Sequence, residues 1–386
     1  MKGTYLMRLY TKNKIIALAT VLTILTGCGG GGSTTSTTST TSTTSTTLTT
    51  STISTGKAVH SGQVTDSSTG NGLGNVTVSI GDAIATTDGN GYYTLSDLTV
   101  TEEAVVNFEK NGYLLGSTQI RLKSLLGDNT YSPNYLEYGM HAHDNQWNYE
   151  SNEINGISAT HIAINASASY VDIEGHPYNG TVSANLSILD TTTDKGKILF
   201  PGAFQGINTN GTIVQFDSYG LISISLKDSN DNRLRLADGE TATLEFNAVS
   251  SLEEQNTLPL WYYDYDQGFW VEEGYAELQA DGSYKGEVSH LGTWSLNRPI
   301  EDAPGIYTDR IIYPDGTPVK NLRIYAIGEN WISADLSTDE NGVFEIKVMP
   351  GQEFGLKAYH YSGKYGAQLN GLISAVSSGD IVDNTK

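Results

Sequence analysis

Three groups of side chains in this 386-residue sequence have the types and spacing to do chemistry. The first is His141-Ala142-His143-Asp144. On an extended strand, residues two apart share a face, so both imidazoles would project together beside a carboxylate. That is the opening of a zinc site and, with a metal-bound water, of a hydrolase. The other histidines (60, 161, 176, 290 and 360) are scattered and no His-Glu-x-x-His occurs, so a polar pair holding no metal is the competing expectation. The second group is the aromatic run Trp261, Tyr262, Tyr263, Tyr265, Phe269 and Trp270. Trp261, Tyr263 and Trp270 could form a glycan-binding platform, since flat rings meet sugar faces through apolar contact and hydrogen-bond through their tips. Against this stands a hairpin with Asp264–Gly268 as its loop, Leu258, Leu260 and Tyr262 on one side and Trp261 and Tyr263 on the other. Only one of those faces needs burial. The third group, Asp228-Ser229-Asn230-Asp231-Asn232, has the opening spacing of a calcium loop. Position six is Arg233 rather than Gly, and position twelve is Gly239 rather than a bidentate Glu, so a polar β-turn explains it.

Other chemistries lack their parts. Glu102-Glu103, Glu253-Glu254 and Glu272-Glu273 are adjacent in sequence. Neighbours on a strand point to opposite faces and cannot flank one glycosidic bond. There is no Gly-x-Ser-x-Gly elbow, no phosphate loop and no cysteine placed as a nucleophile. The sequence therefore predicts a non-enzyme without cofactor or metal.

The elements that would position these groups read as short strands. Gly (42) and Tyr (23) are abundant and charged helix-favouring stretches are scarce, a composition of strands and tight turns. Lys2, Arg8, Lys12 and Lys14 form a basic start with no acid, and Ile15–Leu25 is an apolar run too short to span a bilayer and suited to a signal peptide. Leu25-Thr26-Gly27-Cys28 then resembles the bacterial lipobox. The resemblance implies cleavage before Cys28, the chain's single cysteine, with acylation of its sulfur and of its new amine. Several acyl chains give durable anchoring. Gly29, not Asp, follows the cysteine, which favours an outer membrane or cell-surface location. Loss of residues 1–27 takes four cations from a formal charge of −21 and leaves −25. Such a surface repels nucleic acid. Residues 28–56 are almost wholly Gly, Ser and Thr, a disordered tether that cannot bury apolar area.

Beyond the tether the pattern repeats. Gly62-Gln63-Val64-Thr65-Asp66, Gly72-Leu73-Gly74-Asn75-Val76-Thr77-Val78 and Thr87-Asp88-Gly89-Asn90-Gly91-Tyr92-Tyr93-Thr94-Leu95 resemble the carboxypeptidase regulatory-like domain. That family has a transthyretin-like sandwich near collagen-adhesin B-type repeats and the starch-binding-like fold. It implies a non-catalytic spacer, adhesion or accessory module. Residues 305–386 resemble it more loosely and run out where a last strand is expected. Both copies carry Thr-Asp-x-x-Gly-x-aromatic, at Thr87 to Tyr93 and Thr338 to Phe344. Its Asp can cap a turn and its Gly can take positive φ, so the motif reads as scaffold. Lys57, Lys110 and Glu109 do not match the Lys–Asn crosslink of some adhesin relatives. Between the copies, Phe200-Pro201-Gly202-Ala203-Phe204, Leu236–Leu244, Pro259–Gly274 and Gly286–Trp294 resemble the β-rich extracellular region of astroprincin-type and cartilage intermediate layer proteins. The resemblance implies an extracellular module with no known reaction.

The sequence thus predicts an all-β chain of Greek-key, transthyretin-like sandwiches: signal peptide 1–27, tether 28–56, a first sandwich 57–126, a central β-rich module 135–299 and a second sandwich 303–386. It predicts a non-catalytic, lipid-anchored surface protein for display or adhesion, with the membrane and an extracellular protein or polysaccharide as partners. The alternative is a carbohydrate-binding accessory protein.

Overall fold

The computed structural model describes residues 7–11, 14–18, 57–122, 135–150, 158–159, 162–164, 169–247, 255–313, 315–320, 322–333, 336–359, 366–368 and 372–385. Cys28 and the whole 28–56 tether lie outside them. Ahead of the tether, Met7–Thr11 and Lys14–Leu18 pair as an antiparallel hairpin. Among the described residues every other regular element is a β-strand apart from one six-residue helix, Asp194–Leu199. The protein is all-β, as its composition predicts.

Two small sandwiches flank a large central sheet system, and the two have the same topology. In the first, Lys57–Asp66 lies between Tyr92–Thr99 (antiparallel) and Tyr135–Met140 (parallel). The facing sheet runs Ala83–Thr86, Thr77–Ile80, Thr101–Glu109, Gly116–Leu122. In the second, Gly305–Arg310 lies between Val343–Val348 (antiparallel) and Ile381–Asp383 (parallel), facing Leu336–Ser337, Arg323–Ile327, Gly355–Tyr359, Gly366–Gln368. Two expectations change. The predicted central module 135–299 includes Tyr135–Met140, yet this strand closes the first sheet beside Lys57–Asp66. Its alternating Leu136, Tyr138 and Met140 serve that core, where Leu136 and Met140 are buried. The last strand of the second copy does exist: it is Ile381–Asp383, too short for its period to show.

The shared turn motif works identically in both copies. Thr87 Oγ1 donates to Leu73 O (2.6 Å) and accepts from Val76 N (2.9 Å). Thr338 Oγ1 donates to Val319 O (2.6 Å) and accepts from Leu322 N (2.9 Å). Asp88 Oδ1 accepts from the amides of Asn90 and Tyr92, and Asp339 Oδ1 from those of Asn341 and Val343. Gly91 (φ 84°) and Gly342 (φ 75°) are obligatory. A Cβ there would lie 2.1 Å from Val64 O and 2.2 Å from Ile311 O. The motif is scaffold on this geometry, and both threonines are buried.

The central sheet system is built around Ile213–Lys227, which pairs with Thr181–Leu189 along one edge and with Thr293–Ile300 and Arg233–Leu236 along the other. Thr257–Asp264 and Phe269–Leu278 form the expected hairpin beside Thr293–Ile300. The three bodies do not hang separately. One continuous apolar cluster takes Leu114 from the first sandwich, Phe204, Phe216, Trp261, Tyr263 and Trp270 from the centre, and Tyr307, Ile324, Trp331 and Phe354 from the second sandwich. Polar groups reinforce it. Lys197, 4% exposed, donates to Gly328 O and Glu329 O at 2.8 Å each, and Ser218 N donates to Asn330 O at 3.1 Å.

Candidate ligand cleft at the module junction

The aromatic hairpin is the hinge of this arrangement, and its rings are not a platform. Trp261 and Trp270 are 0% exposed and Tyr263 is 4% exposed. A sugar needs an open ring face; Trp261 and Trp270 have none, and Tyr263 is all but covered. The strand expected to bury one face buries both. Leu258 and Leu260 enter the core of the central sheets, while Trp261 and Tyr263 enter the cluster shared by all three bodies. The run Phe200–Phe204 closes over them: Phe200 stacks on Trp270 (centroids 4.6 Å, 25°), and Trp270 Nε1 donates to Pro201 O at 2.9 Å. Burial pushes the Tyr263 hydroxyl far above its usual range, so it stays a donor, to Ser117 Oγ of the first sandwich at 3.0 Å.

The hairpin loop docks on the first sandwich. Asn107 Nδ2 donates to Tyr265 O (2.9 Å), Gln119 Nε2 to Gly268 O (3.2 Å), and Tyr265 Oη to Leu115 O (2.9 Å). Gly268 has φ 69°, and a Cβ on it would lie 2.5 Å from Val105 Cγ2. At Gly268 the loop meets the sandwich through backbone because only glycine fits there.

His141-Ala142-His143-Asp144 is the link between Tyr135–Met140 of the first sandwich and Asn145–Glu150 of the centre. Its polar groups have separate employments. His141 Nε2 lies 3.2 Å from Asp144 Oδ2, and His143 Nδ1 lies 2.8 Å from Ser187 Oγ. Asp144 Oδ2 also accepts from Ile188 N at 2.7 Å. His143 N donates to Gly112 O, and Leu114 N donates to His141 O, so the link is stitched to the 110–114 loop. Burial, aided by the nearby Lys227 charge, pushes the His143 imidazole down to about 4. The two histidines join no set of three ligand groups among the described residues. Such a set does occur at Asp172, Glu174 and His176. There Arg235 Nε donates to Asp172 O at 3.2 Å, and the guanidinium opposes a cation. The Asp228–Asn232 segment is the expected turn: Asp228 Oδ1 accepts from the amides of Asn230 (2.7 Å) and Asn232 (2.8 Å).

Where the hairpin and the link bring the first sandwich against the centre, they leave a cleft of ≈ 330 Å³. Tyr262, Tyr263, Tyr265, Leu115 and Leu291 give it an apolar and aromatic lining. Its polar lining includes Lys110, Lys227 and Arg233 against the single carboxylate of Glu109. Across it, Lys227 Nζ bonds Asn111 Oδ1, and Arg233 pairs with Glu109 at 2.9 Å. Of the candidate residues, His143 and the ring-bearing Tyr262, Tyr263 and Tyr265 line this cleft, as do His290, Glu109, Lys110 and Arg233, while Trp261 and Trp270 are not among its lining residues. Lys110, Lys227 and Arg233 carried no local signal. Lys227 and Arg233 face each other across the Asp228–Asn232 turn, and they meet Lys110 across more than a hundred residues of sequence. A cation excess beside turns of a strongly acidic chain was the one hint available.

No family model matches the chain. It is 28% identical over 108 residues to cartilage intermediate layer protein 1 of Homo sapiens, a stretch covering 28% of this chain and 9% of that protein. The matched stretch is about a tenth of the relative's length. Among solved structures, the major pilin subunit of Bacillus cereus aligns over 86% of this chain and 100% of its own, at 11% identity and TM-score 0.19. The Bacillus anthracis TIE protein aligns over 86% of this chain and 51% of its own, at 12% identity and TM-score 0.19. Scores this low support no inference about function.

Proposed function

We propose that this chain is a lipid-anchored cell-surface protein that works by binding rather than by catalysis. Cys28 carries the lipids, residues 28–56 hold the folded part away from the membrane, and the interlocked β bodies present a binding surface. The observation that carries the binding part is the cleft at the junction, where rings and cations from two bodies converge. Anchoring rests on Leu25-Thr26-Gly27-Cys28. A locked body suits display: contacts that cross the junctions, such as Lys197 on the Gly328 and Glu329 carbonyls, limit relative motion. Cells expressing the chain and fed labelled palmitate should label it, and Cys28→Ala should abolish the label while leaving a folded protein. The cells should bind extracellular matrix or polysaccharide in proportion to surface display. An unlabelled wild-type chain retained inside the cell refutes the anchor. A labelled, displayed chain that binds neither material refutes the binding role.

Carbohydrate recognition is the second reading, favoured by the same cleft and not by Trp261 and Trp270, whose faces are covered; Tyr263 contributes only as part of the cleft's lining.

A further inference from the structure

Resting on the reading of the chain as a surface binding protein, we propose that the junction cleft takes a carboxylate-bearing sugar, the uronate unit of an acidic polysaccharide. Charge is the first ground. The chain carries a formal −21, yet Lys227, Arg233 and Lys110, the last with its ammonium on Gly74 O at 2.8 Å, line this cleft against the one carboxylate of Glu109. A concave site with an excess of one sign and low-dielectric walls concentrates its field and draws in the opposite charge. Lys227 has three donors and Arg233 five, more than their single bonds to Asn111 and Glu109 use. A guanidinium fork matches a carboxylate in two parallel hydrogen bonds.

The lining is the second ground. Tyr262 is half-buried and stands edge-on to His290 (centroids 5.1 Å, 90°), with Trp294 tilted behind it at 5.8 Å. Rings with apolar bodies and polar tips suit a sugar, which has apolar faces and a rim of hydroxyls. A volume of ≈ 330 Å³ sits at the small end of ligand sites, which run from roughly 300 to 1,000 Å³.

Strand pairing disfavours an acidic peptide. Peptides gain affinity by adding to an open sheet edge. The wall segment Ser223–Lys227 has no open edge: it pairs with Thr181–Leu189 on one side, and with Thr293 and Arg233–Leu236 on the other.

The test is calorimetric titration of the full chain in detergent with oligogalacturonate and oligoglucuronate, each beside its methyl ester. One of the two acids should bind and its ester should bind at least tenfold more weakly. Lys227→Gln and Arg233→Gln should each weaken the acid by roughly tenfold, the size of a lost charge-assisted hydrogen bond. Raising NaCl from about 0.05 to about 0.5 M should weaken it further. Both variants lie at the surface and are checked for native circular dichroism. Equal binding of acid and ester overturns the proposal in favour of a neutral saccharide, and displacement by oligoglutamate overturns it in favour of a peptide. Absence of uronate binding in a chain that still adheres to matrix refutes the cleft's assignment and leaves the surface-binding role standing. Loss of matrix adhesion as well refutes both.

Discussion

Replacing Gly268 by Ala should uncouple the first sandwich from the rest of the molecule. Two costs follow from the geometry. An L-residue at φ 69° is disfavoured by about 1–2 kcal/mol. The new methyl would sit 2.5 Å from Val105 Cγ2, an overpacking that costs about 1–3 kcal/mol where the neighbours must shift. Together these come to roughly 2–5 kcal/mol, loaded onto the seat of the hairpin loop. The tryptophans make the outcome legible. All five lie at or beyond Trp147 and none belongs to the first sandwich. Tryptophan fluorescence therefore reports the central and second bodies, while far-ultraviolet circular dichroism reports all three. In the wild-type chain the two denaturation curves should coincide, because one apolar cluster spans the three bodies. In Gly268→Ala the dichroism should begin to fall at lower denaturant than the fluorescence. Val105→Ala in the same chain should return the steric part, so the two substitutions should couple by about 1–3 kcal/mol in a double-mutant cycle. Additivity to within about 0.5 kcal/mol, or coincident curves in Gly268→Ala, would refute a hairpin seated on the first sandwich.

The turn threonines offer a matched pair: Thr87→Val and Thr338→Val each strand a buried N–H and a buried carbonyl. Each should cost about 1–3 kcal/mol by chemical denaturation, with Ser at either position restoring most of it. Trp270→Ala should cost about 3–5 kcal/mol and leave any saccharide affinity of the folded protein unchanged, because this ring is core and not a contact surface. His143, held near 4 by burial with Lys227, His141 and Asp144 as its charged neighbours, takes up a proton more readily unfolded than folded. Its contribution is intact above about pH 6.5, the ordinary histidine value. It is lost as pH falls toward 4, because the unfolded chain binds the extra proton. His143→Gln should flatten the pH dependence of the denaturation midpoint across that window.

Period-two alternation was enough to find most strands and the all-β class, and the turn motif at Thr87 and Thr338 was readable because it is local. Each step from threonine to aromatic spans seven residues whose capping and positive φ follow from residue type. What failed to show was of longer range. Tyr135–Met140 alternates like any strand, and nothing in those six residues tells which sheet it joins. The partner, Lys57–Asp66, lies some seventy residues away. Ile381–Asp383 is too short to show a period. The aromatic hairpin itself was legible, yet the fate of its two faces was not. Burial of both faces of Thr257–Asp264 depends on the second and first bodies closing over Trp261 and Tyr263, a fact of assembly that a single strand's pattern does not hold. The cleft was invisible for the same reason, since its cations come from different bodies.

That origin ties ligand binding to docking. Glu109, Lys110 and Asn111 belong to the first sandwich, and Lys227, Arg233 and Tyr262 to the centre. The site therefore exists only while the two are seated together. The exposed bonds across it, Lys227 to Asn111 and Arg233 to Glu109, belong to a class worth at most about 1 kcal/mol each, so the seat depends on the hairpin loop. A ligand that needs both walls binds the docked state alone and must stabilise it, by about 2.7 kcal/mol at a hundred times its dissociation constant. In Gly268→Ala, saturating oligouronate should then draw the dichroism curve back toward the fluorescence curve, while the same variant binds the ligand more weakly than wild type. A ligand that binds Gly268→Ala and wild type equally well would have to sit on one body, and the cleft could not be its site.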